Sequence, residues 1–536
     1  MEKGIKAYHS YLSFGDAKEA LSETVCEDLN LDDLCEQLDY TSSCVGRQYL
    51  YHILCTDKIS DVTAHEQFIE QLQTDYLLRN KLVNALQKLN KPDAYSIVDI
   101  LAEKEHTYSR GYLLLLQICR WLPAVSLILM FQIPSSPVPL LFLLVSYIFN
   151  GYLHFKQKNI LSCYYFSVPQ LYKLLKTADY LSAVPSFLSV NVKVENTIRN
   201  LKELVRKLGS FRLGIALESD SAMIVYLLTE LINIFTLYST INIVTSFRFI
   251  QKEKEEIEQV FCYVGFLDLL CSISFLREQI PYYCKPSDNK SGERLYADSI
   301  YHPLIRGCVS NSVSLSDKSM LITGSNMSGK TSFIRTVAIN LLTAKTLNTC
   351  FAKDFRIDIN RHLYSVIHTE DNLLEGKSYF FKEVENVKAA LDKGKKGNYL
   401  LVFDELFKGT NTVERIAINS AVFSDLAKTD NLVLASTHDL ELTALLHSQY
   451  DLYHFSETIA DDKLQFDYKL KKGVAQEQVE NAVQDIGIVW LSFRIGSIGQ
   501  EYTSFDTVIL IPNERWLSLS ISRITTVSRS GPYSFP

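Results

Sequence analysis

Paired cysteines are missing from this chain. Its 11 cysteines are scattered, with no CxxC pair and no histidine at metal spacing. That excludes a zinc ribbon and a disulfide frame, and it reads as reduced thiols in a cytosolic setting. A basic surplus is missing too, since the formal net charge is -7. A protein whose main task is gripping nucleic acid draws most of its non-specific affinity from neutralising phosphates, so this balance counts against that class unless a local basic face offsets it. The opening MEKGIKAYHSYLSFGDAKEA lacks the apolar run of a signal peptide, and none is expected. Charged residues are only 21% of the chain against 47% hydrophobic, which provides for a substantial core and argues against bulk disorder. The 536 residues correspond to about 3–4 domains.

Five segments follow from the patterning. Residues 1–110 read as an N-terminal helical core segment. Leu31, Leu34, Cys35 and Leu38 share a helical face that Asn30 or Asp32 is placed to cap, Asp39–Ser43 breaks the run, and Gly46–Leu54 resumes it. Residues 111–156 read as a transmembrane helical hairpin. Tyr112–Ile133 and Val138–Phe155 are almost wholly apolar and are joined by Pro134-Ser135-Ser136-Pro137. Arg110 before the hairpin, and Lys156 and Lys158 after it, would put both ends on the cytoplasmic side. Arg120 and Pro123 sit awkwardly inside the first span, and a pair of buried core helices is the competing reading. Residues 157–290 return to amphipathic helix as a helical lever, with Ser221–Phe247 expected as one packed helix running into the charged stretch Lys252–Glu258. Residues 291–475 alternate short apolar strands (Ser319–Thr323, Tyr399–Phe403, Leu432–Ser436) with helices. That is the pattern of an α/β domain with its ligand at the carboxyl ends of parallel strands. Residues 476–536 form a divergent tail without a motif.

The chemistry concentrates in that α/β segment. Gly324-Ser325-Asn326-Met327-Ser328-Gly329-Lys330-Thr331 fits G-x-x-x-x-G-K-[ST] and lies between a strand and the helix that Ser332 opens. Glycines let backbone N–H groups encircle phosphates, and the helix N-terminus adds its dipole. Lys330 would reach the β- and γ-phosphates, and the Thr331 hydroxyl would ligate Mg²⁺. At the end of the apolar strand Tyr399–Phe403, Asp404 would hold Mg²⁺ while Glu405 orients or deprotonates the attacking water. His438, at the end of a third strand, is a candidate to sense the γ-phosphate or hold that water.

These residues resemble the MutS family. Thr323–Thr331, with its Asn326-Met327 pair, is similar to the family's Walker A. Tyr301-His302-Pro303-Leu304 resembles the His-Pro segment upstream, and Asp371–Phe380 resembles its signature loop. Asp404-Glu405-Leu406 with Gly409–Thr412 resembles Walker B and the loop after it, and Ser436-Thr437-His438 resembles the switch histidine. Asp39–Arg47 weakly resembles the start of the family's helical core. The resemblance implies an α/β P-loop ATPase domain of ABC type following an all-α core and lever. It implies hydrolysis of ATP to ADP and phosphate with Mg²⁺, and a homodimer in which Ser378 contacts the γ-phosphate in trans. Asn372 and Gly376 would shape that loop, and the nucleotide contacts would span Gly324–Ser332 together with Asn311.

The departures are also informative. The expectation is a short member without the mismatch-reading and connector domains. Phe68-Ile69-Glu70 has the form of the mismatch wedge but reads as ordinary helix packing within a helical run from Thr63 to Leu86. Cys308 stands where the family stacks an aromatic on adenine. Three function classes are weighed, of which a nonenzymatic scaffold that binds nucleotide as a switch is disfavoured by Lys330, Thr331, Asp404 and Glu405 occurring together. Of the remaining two, one is a membrane-held ATPase with its catalytic domain facing the cytoplasm, not dedicated to mismatches. The other is a cytoplasmic DNA-binding ATPase of repair or recombination that clamps duplex or branched DNA without mismatch specificity.

Overall fold

The computed structural model describes residues 3–13, 20–102, 108–161, 167–206, 208, 223–287, 292–325, 327–367, 379–460 and 463–474. The first hundred residues form α1 (Lys3–Ser13), α2 (Glu23–Asp28), α3 (Leu31–Leu38), α4 (Cys44–Leu54), α5 (Glu66–Thr74), α6 (Tyr76–Leu86) and α7 (Ile97–Ala102). Helix α3 buries the predicted face of Leu31, Leu34, Cys35 and Leu38. Asn30 holds its cap position in a left-handed backbone, without a side-chain cap bond. The single run expected from Thr63 to Leu86 is divided. A 3₁₀ turn covers Asp61–His65, and α6 restarts at Asp75, whose carboxylate accepts from the N–H groups of Leu77 at 3.0 Å and Leu78 at 2.9 Å. An aspartate that satisfies two orphan donors starts a new helix there. Phe68 and Ile69 are buried, Phe68 lies edge-on to Phe187, and Glu70 pairs with Lys285 at 2.6 Å. The Phe-Ile-Glu segment is therefore helix packing.

Two long apolar helices follow, α8 (Arg110–Gln132) and α9 (Val138–Leu161), packed on each other as a hairpin. Then come α10 (Ser167–Ser182), α11 (Pro185–Leu188), α12 (Val194–Asn200), α13 (Met223–Thr236), α14 (Tyr238–Lys252) and α15 (Lys254–Gln279). The stretch read as one packed helix over Ser221–Phe247 differs from expectation. Among its described residues the helix breaks at Leu237, which has φ 48°, and the two pieces meet at 69°. Three helices among the described residues are long and apolar enough to cross a membrane: α8, α9 and α15. Helix α15 is mostly buried inside the protein, whereas α8 and α9 are mostly open.

Helix α15 is the spine of the helical half and packs against α4, α5, α6, α10 and α12. Its Asp268 is fully buried. It accepts from Ser42 N–H at 2.8 Å, Ser43 N–H at 2.8 Å and the Ser43 hydroxyl at 2.5 Å, which anchors the break between α3 and α4. Burial pushes this carboxyl up to about 7, against the pull of those donors. The clamp closes only because position 46 has no side chain: a Cβ there would lie 2.1 Å from Asp268 Oδ2.

The second half is built on two sheets. An antiparallel sheet has the order β2–β1–β4, from β1 (Leu295–Ile300), β2 (Asn311–Leu315) and β4 (Asp354–Ile357). The larger sheet has the order β5–β6–β7–β3–β8–β9, from β3 (Ser319–Thr323), β5 (His362–Val366), β6 (Tyr399–Asp404), β7 (Leu432–Thr437), β8 (Tyr450–Ala460) and β9 (Lys463–Lys472). Its strands run parallel except β9. Helices α16 (Lys330–Leu347), α17 (Tyr379–Gly394), α18 (Thr412–Leu426) and α19 (Glu441–Leu446) complete the domain. The central strands β3 and β7 are buried along their whole length, which explains why they read as continuous apolar runs instead of alternating ones.

Carboxylates of the helical half fasten it to this domain. Asp28 accepts from the Ser365 hydroxyl at 2.6 Å and Ile367 N–H at 3.1 Å. Asp57 accepts from Lys345 at 2.5 Å and bonds His362 at 2.7 Å. Glu66 binds Arg277 at 2.5 Å and Asn348 at 2.7 Å.

Overpacking a closed helix contact costs about 1–3 kcal/mol. Gly46→Ala should therefore lower the thermal midpoint of the purified protein by forcing Asp268 away from Ser42 and Ser43. An unchanged midpoint would show that the clamp does not hold α4 to α15.

Candidate functional site

Three strand ends converge. In register, Asp404 at the end of β6 lies beside Ser436 of β7, and Thr323 of β3 lies beside Thr437. Strand β3 runs into the Gly324–Gly329 loop and then α16. The loop depends on glycine at two points. Gly324 has φ 146°, and a Cβ there would lie 2.9 Å from both the Phe455 carbonyl and Ser328 Oγ. Gly329 has φ 108° at the cap position of α16. Met327 also takes a left-handed backbone (φ 69°) and is 85% exposed. Asn326 lies outside the described residues.

Lys330 is nearly buried. Its Nζ donates to the carbonyls of Gly324 at 2.6 Å and Ser325 at 2.9 Å, and lies 3.3 Å from Glu405 Oε1. Burial lowers its pKa from the ordinary lysine value, opposed by the charges of Glu405 and Asp404. The Thr331 hydroxyl donates to Asp404 Oδ2 at 2.7 Å, and the Ser436 hydroxyl donates to Asp404 Oδ1. One carboxylate thus joins the loop and two strands.

Glu405 has φ 50°, which turns it away from the strand direction. Its Oε2 lies 2.7 Å from His438 Nε2 and 2.9 Å from Lys408 Nζ. Burial would raise its pKa, but the His438 and Lys408 contacts outweigh burial and hold the carboxyl down at about 2. It is therefore an anion across the physiological range. The loop after β6 is pinned from below, where buried Glu383 of α17 accepts the Phe407 N–H at 2.5 Å.

Lys330, Thr331 and Glu405 of this cluster border a cavity of 580 Å³, which Asp404 and His438 join through Thr331 and Glu405. Gly329 and Ser332 also line it, with Cys308, Asn311, Phe455 and Tyr468, and a Cβ at Gly329 would lie 3.4 Å from the Tyr468 ring and 3.7 Å from that of Phe455. Asn311 is not a free amide there: it donates to the Tyr468 carbonyl at 3.1 Å and accepts from Leu470 N–H at 2.8 Å, so it positions β9 at the cavity. Ser378, Asn372 and Gly376 lie outside the described residues.

The cluster brings together Lys330, Thr331, Asp404, Glu405 and His438 from three separate strand ends. Sequence reasoning missed Lys408, Glu383, the bonding role of Ser436, and Tyr468. Tyr468 supplies an aromatic ring to the cavity that also contains Cys308. The alternating pattern of Gln465–Leu470 marks a strand, but nothing in it shows which cavity the strand borders.

Among the described residues Ser328 Oγ is buried without a hydrogen-bond partner inside the loop. An unmet buried group costs about 1–3 kcal/mol. Ser328→Ala should accordingly raise the thermal midpoint of the nucleotide-free protein while weakening its affinity for nucleotide. A lower midpoint would show the hydroxyl to be already satisfied.

A family model for MutS domain V matches residues 320–488. Relatives described as DNA mismatch repair protein MutS align with the chain. The Clostridium novyi protein is 31% identical over 242 residues, 42% of this chain and 26% of the relative. The Thermus aquaticus protein is 32% identical over 166 residues, 30% of this chain and 20% of the relative. The Natronomonas pharaonis protein is 28% identical over 231 residues, 41% of this chain and 26% of the relative. The chain spans about a quarter of the length of the curated relatives it matches. Residues 320–488, which carry the loop, the acidic strand end and the histidine, are therefore similar to MutS domain V.

Proposed function

We propose that this chain binds Mg-ATP in the 580 Å³ cavity, hydrolyses it to ADP and phosphate, and passes the resulting movement to its helical half while the α8–α9 hairpin holds it in a membrane. The observation that carries the reading is the chain of contacts from the cavity's Lys330, Thr331 and Glu405 to Asp404, which takes the Thr331 hydroxyl, and to His438, 2.7 Å from Glu405. In the nucleotide-free site Lys330 satisfies itself on the loop's own carbonyls, contacts that phosphate oxygens would replace. The Ser328 hydroxyl, now without a partner, would gain one.

The Thr331 hydroxyl and the Asp404 carboxylate are hard oxygen donors 2.7 Å apart, a set suited to Mg²⁺. They would hold the ion, which when bound neutralises charge on the phosphates. Glu405, kept ionised by His438 and Lys408, accepts a hydrogen bond from the attacking water and draws off its proton. His438 fixes the orientation of that carboxylate. Tyr468 offers a ring for the base, and Asn311 sets its position.

The lever reading rests on α16. Its 18 residues span about 27 Å, from Lys330 and Thr331 at the cavity to Leu347. Immediately beyond that end, Arg277 of α15 donates to the Asn348 carbonyl at 2.9 Å and the Thr349 hydroxyl at 3.1 Å, and pairs with Glu66. A shift at the phosphates therefore reaches the spine helix through fixed polar contacts. The site would be completed by Ser378 from a second copy of the chain.

The membrane reading rests on the hairpin's open apolar surface, including Leu114, Ile118 and Trp121 on α8 and Leu141, Val145 and Ile148 on α9. The names of the relatives favour a second reading, a DNA-binding ATPase of repair or recombination. DNA affinity that falls steeply between two salt concentrations would support it, and absent or salt-insensitive binding would remove it.

Glu405→Gln should keep nucleotide affinity and lose roughly 10²–10⁴-fold in turnover, the usual contribution of a positioned base. Turnover at the original rate would overturn its assigned role. Specific activity should rise with protein concentration as copies pair, and a flat profile over the range where the protein is monomeric would remove the dimer requirement. Membrane fractionation with and without residues 112–155 checks the anchor, since the shortened chain should move to the soluble fraction.

A further inference from the structure

We infer that the lipid-facing surface does not end with the hairpin: α13 and the start of α14 enter the bilayer beside it as a re-entrant wedge, seated by a buried Glu230–His154 pair. The inference rests on the membrane reading of α8 and α9 given above.

The described part of α13 is 14 residues, about 21 Å, against a hydrocarbon core of about 30 Å. It nevertheless leaves Leu227, Leu228, Leu231 and Ile232 between 51% and 61% exposed, an apolar face that a solvated helix would not carry. Helix α13 packs on α9 and α8, so this face continues that of the hairpin.

The contacts fix its direction. Glu230 lies level with His154, at 3.4 Å, and four residues later Ile234 meets Gly151, where a Cβ would lie 3.7 Å from Ile234 Cγ2. Progress along α13 therefore moves away from the Lys156 end of the hairpin and into its apolar part. The chain turns at Leu237 and comes back. The Thr240 hydroxyl is again beside His154, at 3.0 Å, and Ile241 and Val244 pack with Leu113 and Leu116 near the Arg110 end of α8. Both limbs thus begin and end on the side where the hairpin begins and ends.

At the break, lipid requires that backbone groups be satisfied within the protein, and those of Leu237 are. Leu237 is fully buried, its N–H donates to Asn233 O at 2.7 Å, and its carbonyl accepts Ile241 N–H at 2.9 Å. The Thr236 hydroxyl donates to Ile232 O at 2.8 Å and accepts Tyr238 N–H at 3.3 Å. Glu230 and His154 are turned inward, at 11% and 5% side-chain exposure. Ionisable groups at membrane depth face the bundle interior in this way, here at an ion-pair separation of 3.4 Å without a hydrogen bond at His154 Nε2 among the described residues. Asn150 beside them donates to the Cys119 carbonyl at 3.2 Å, tying α9 to α8 at the same level.

Quenching of tryptophan fluorescence by brominated acyl chains tests the wedge. The full chain is placed in phosphatidylcholine vesicles with and without bromine, in a Trp490→Phe, Trp516→Phe background. Native Trp121, 62% exposed on α8, reports on the hairpin. Leu231→Trp with Trp121→Phe reports on α13, and Leu228→Trp serves as a second placement should the first fail to fold. Quenching at both 121 and α13 is expected. Quenching at 121 with none at α13 overturns the wedge and leaves the hairpin standing, the result also expected if a protein partner covers α13. Quenching at neither overturns the membrane reading itself. Glu230→Ala should abolish most quenching at 231 and leave that at 121 unchanged; unchanged quenching at both overturns the seating role of the pair.

Discussion

Asp404 is the point on which the site depends. One of its oxygens takes the Thr331 hydroxyl and the other takes the Ser436 hydroxyl, so a single carboxylate sets the distance between the glycine loop and the ends of β6 and β7. Glu405 comes next in the chain and departs from the strand with φ 50°, which carries its side chain across to Lys330, Lys408 and His438. A left-handed glutamate is costly and persists only where its surroundings over-determine it. Here the surroundings are three cationic or hydrogen-bonding partners above, and Glu383 holding the Phe407 N–H below. The strain is thus part of what puts a second carboxylate at the cavity next to the first.

The same economy joins the two halves of the chain. Arg277 is completely buried, and every polar contact it makes runs to Glu66 or to the segment just after α16. A buried arginine left without its carboxylate costs several kcal/mol, so the pairing is held in one geometry. Asp57 grips Lys345 one turn earlier on α16 and bonds His362 at the start of β5, while Asp28 holds the other end of β5 through Ser365. The helical half therefore touches both ends of the strand that leads toward the signature segment, as well as the far end of the helix that leaves the phosphate loop. These charged and hydrogen-bonded contacts join the two halves alongside one continuous apolar core.

Much of this was legible from residues alone, for reasons of period and punctuation. The strands at 319–323, 399–403 and 432–436 stand out because buried parallel strands are uninterrupted apolar runs, and the chemistry follows each of them directly. The α3 face and the hairpin turn at Pro134–Pro137 could be read for the same reason. What could not be read was set by contacts distant in sequence. Asp75 divides a helix that periodicity makes continuous, because cap chemistry overrides a sustained apolar stripe. Leu237, an apolar residue with no breaker beside it, takes a left-handed turn that only the packing against Leu113 and Leu116 accounts for. Tyr468 reaches the cavity by the pairing of β9 with β8 and the bonds from Asn311, neither of which leaves a local trace.

The hairpin raises a question of magnitude. Eight large apolar side chains on α8 and ten on α9 are more than a third exposed. Full burial of such a side chain is worth about 1.5–3 kcal/mol, so in water this surface leaves tens of kcal/mol unrealised, well beyond the ~5–15 kcal/mol net stability of a typical domain. A covering medium or partner is therefore part of the folded state, not an accessory to it. The interior of the same bundle is polar where it needs to be, with Asn150 on the Cys119 carbonyl and Gln157 accepting from the Tyr112 hydroxyl. The bundle thus has an apolar exterior around an interior that mixes the Leu113, Leu116, Leu153 and Val244 cluster with a few hydrogen-bonded polar groups. Because α14 leads directly into α15, and α15 carries Arg277, the openly apolar bundle and the end of the phosphate-loop helix share one continuous stretch of chain. A membrane grip at one end and a nucleotide cavity at the other would make α15 the element across which the work of the cycle is delivered.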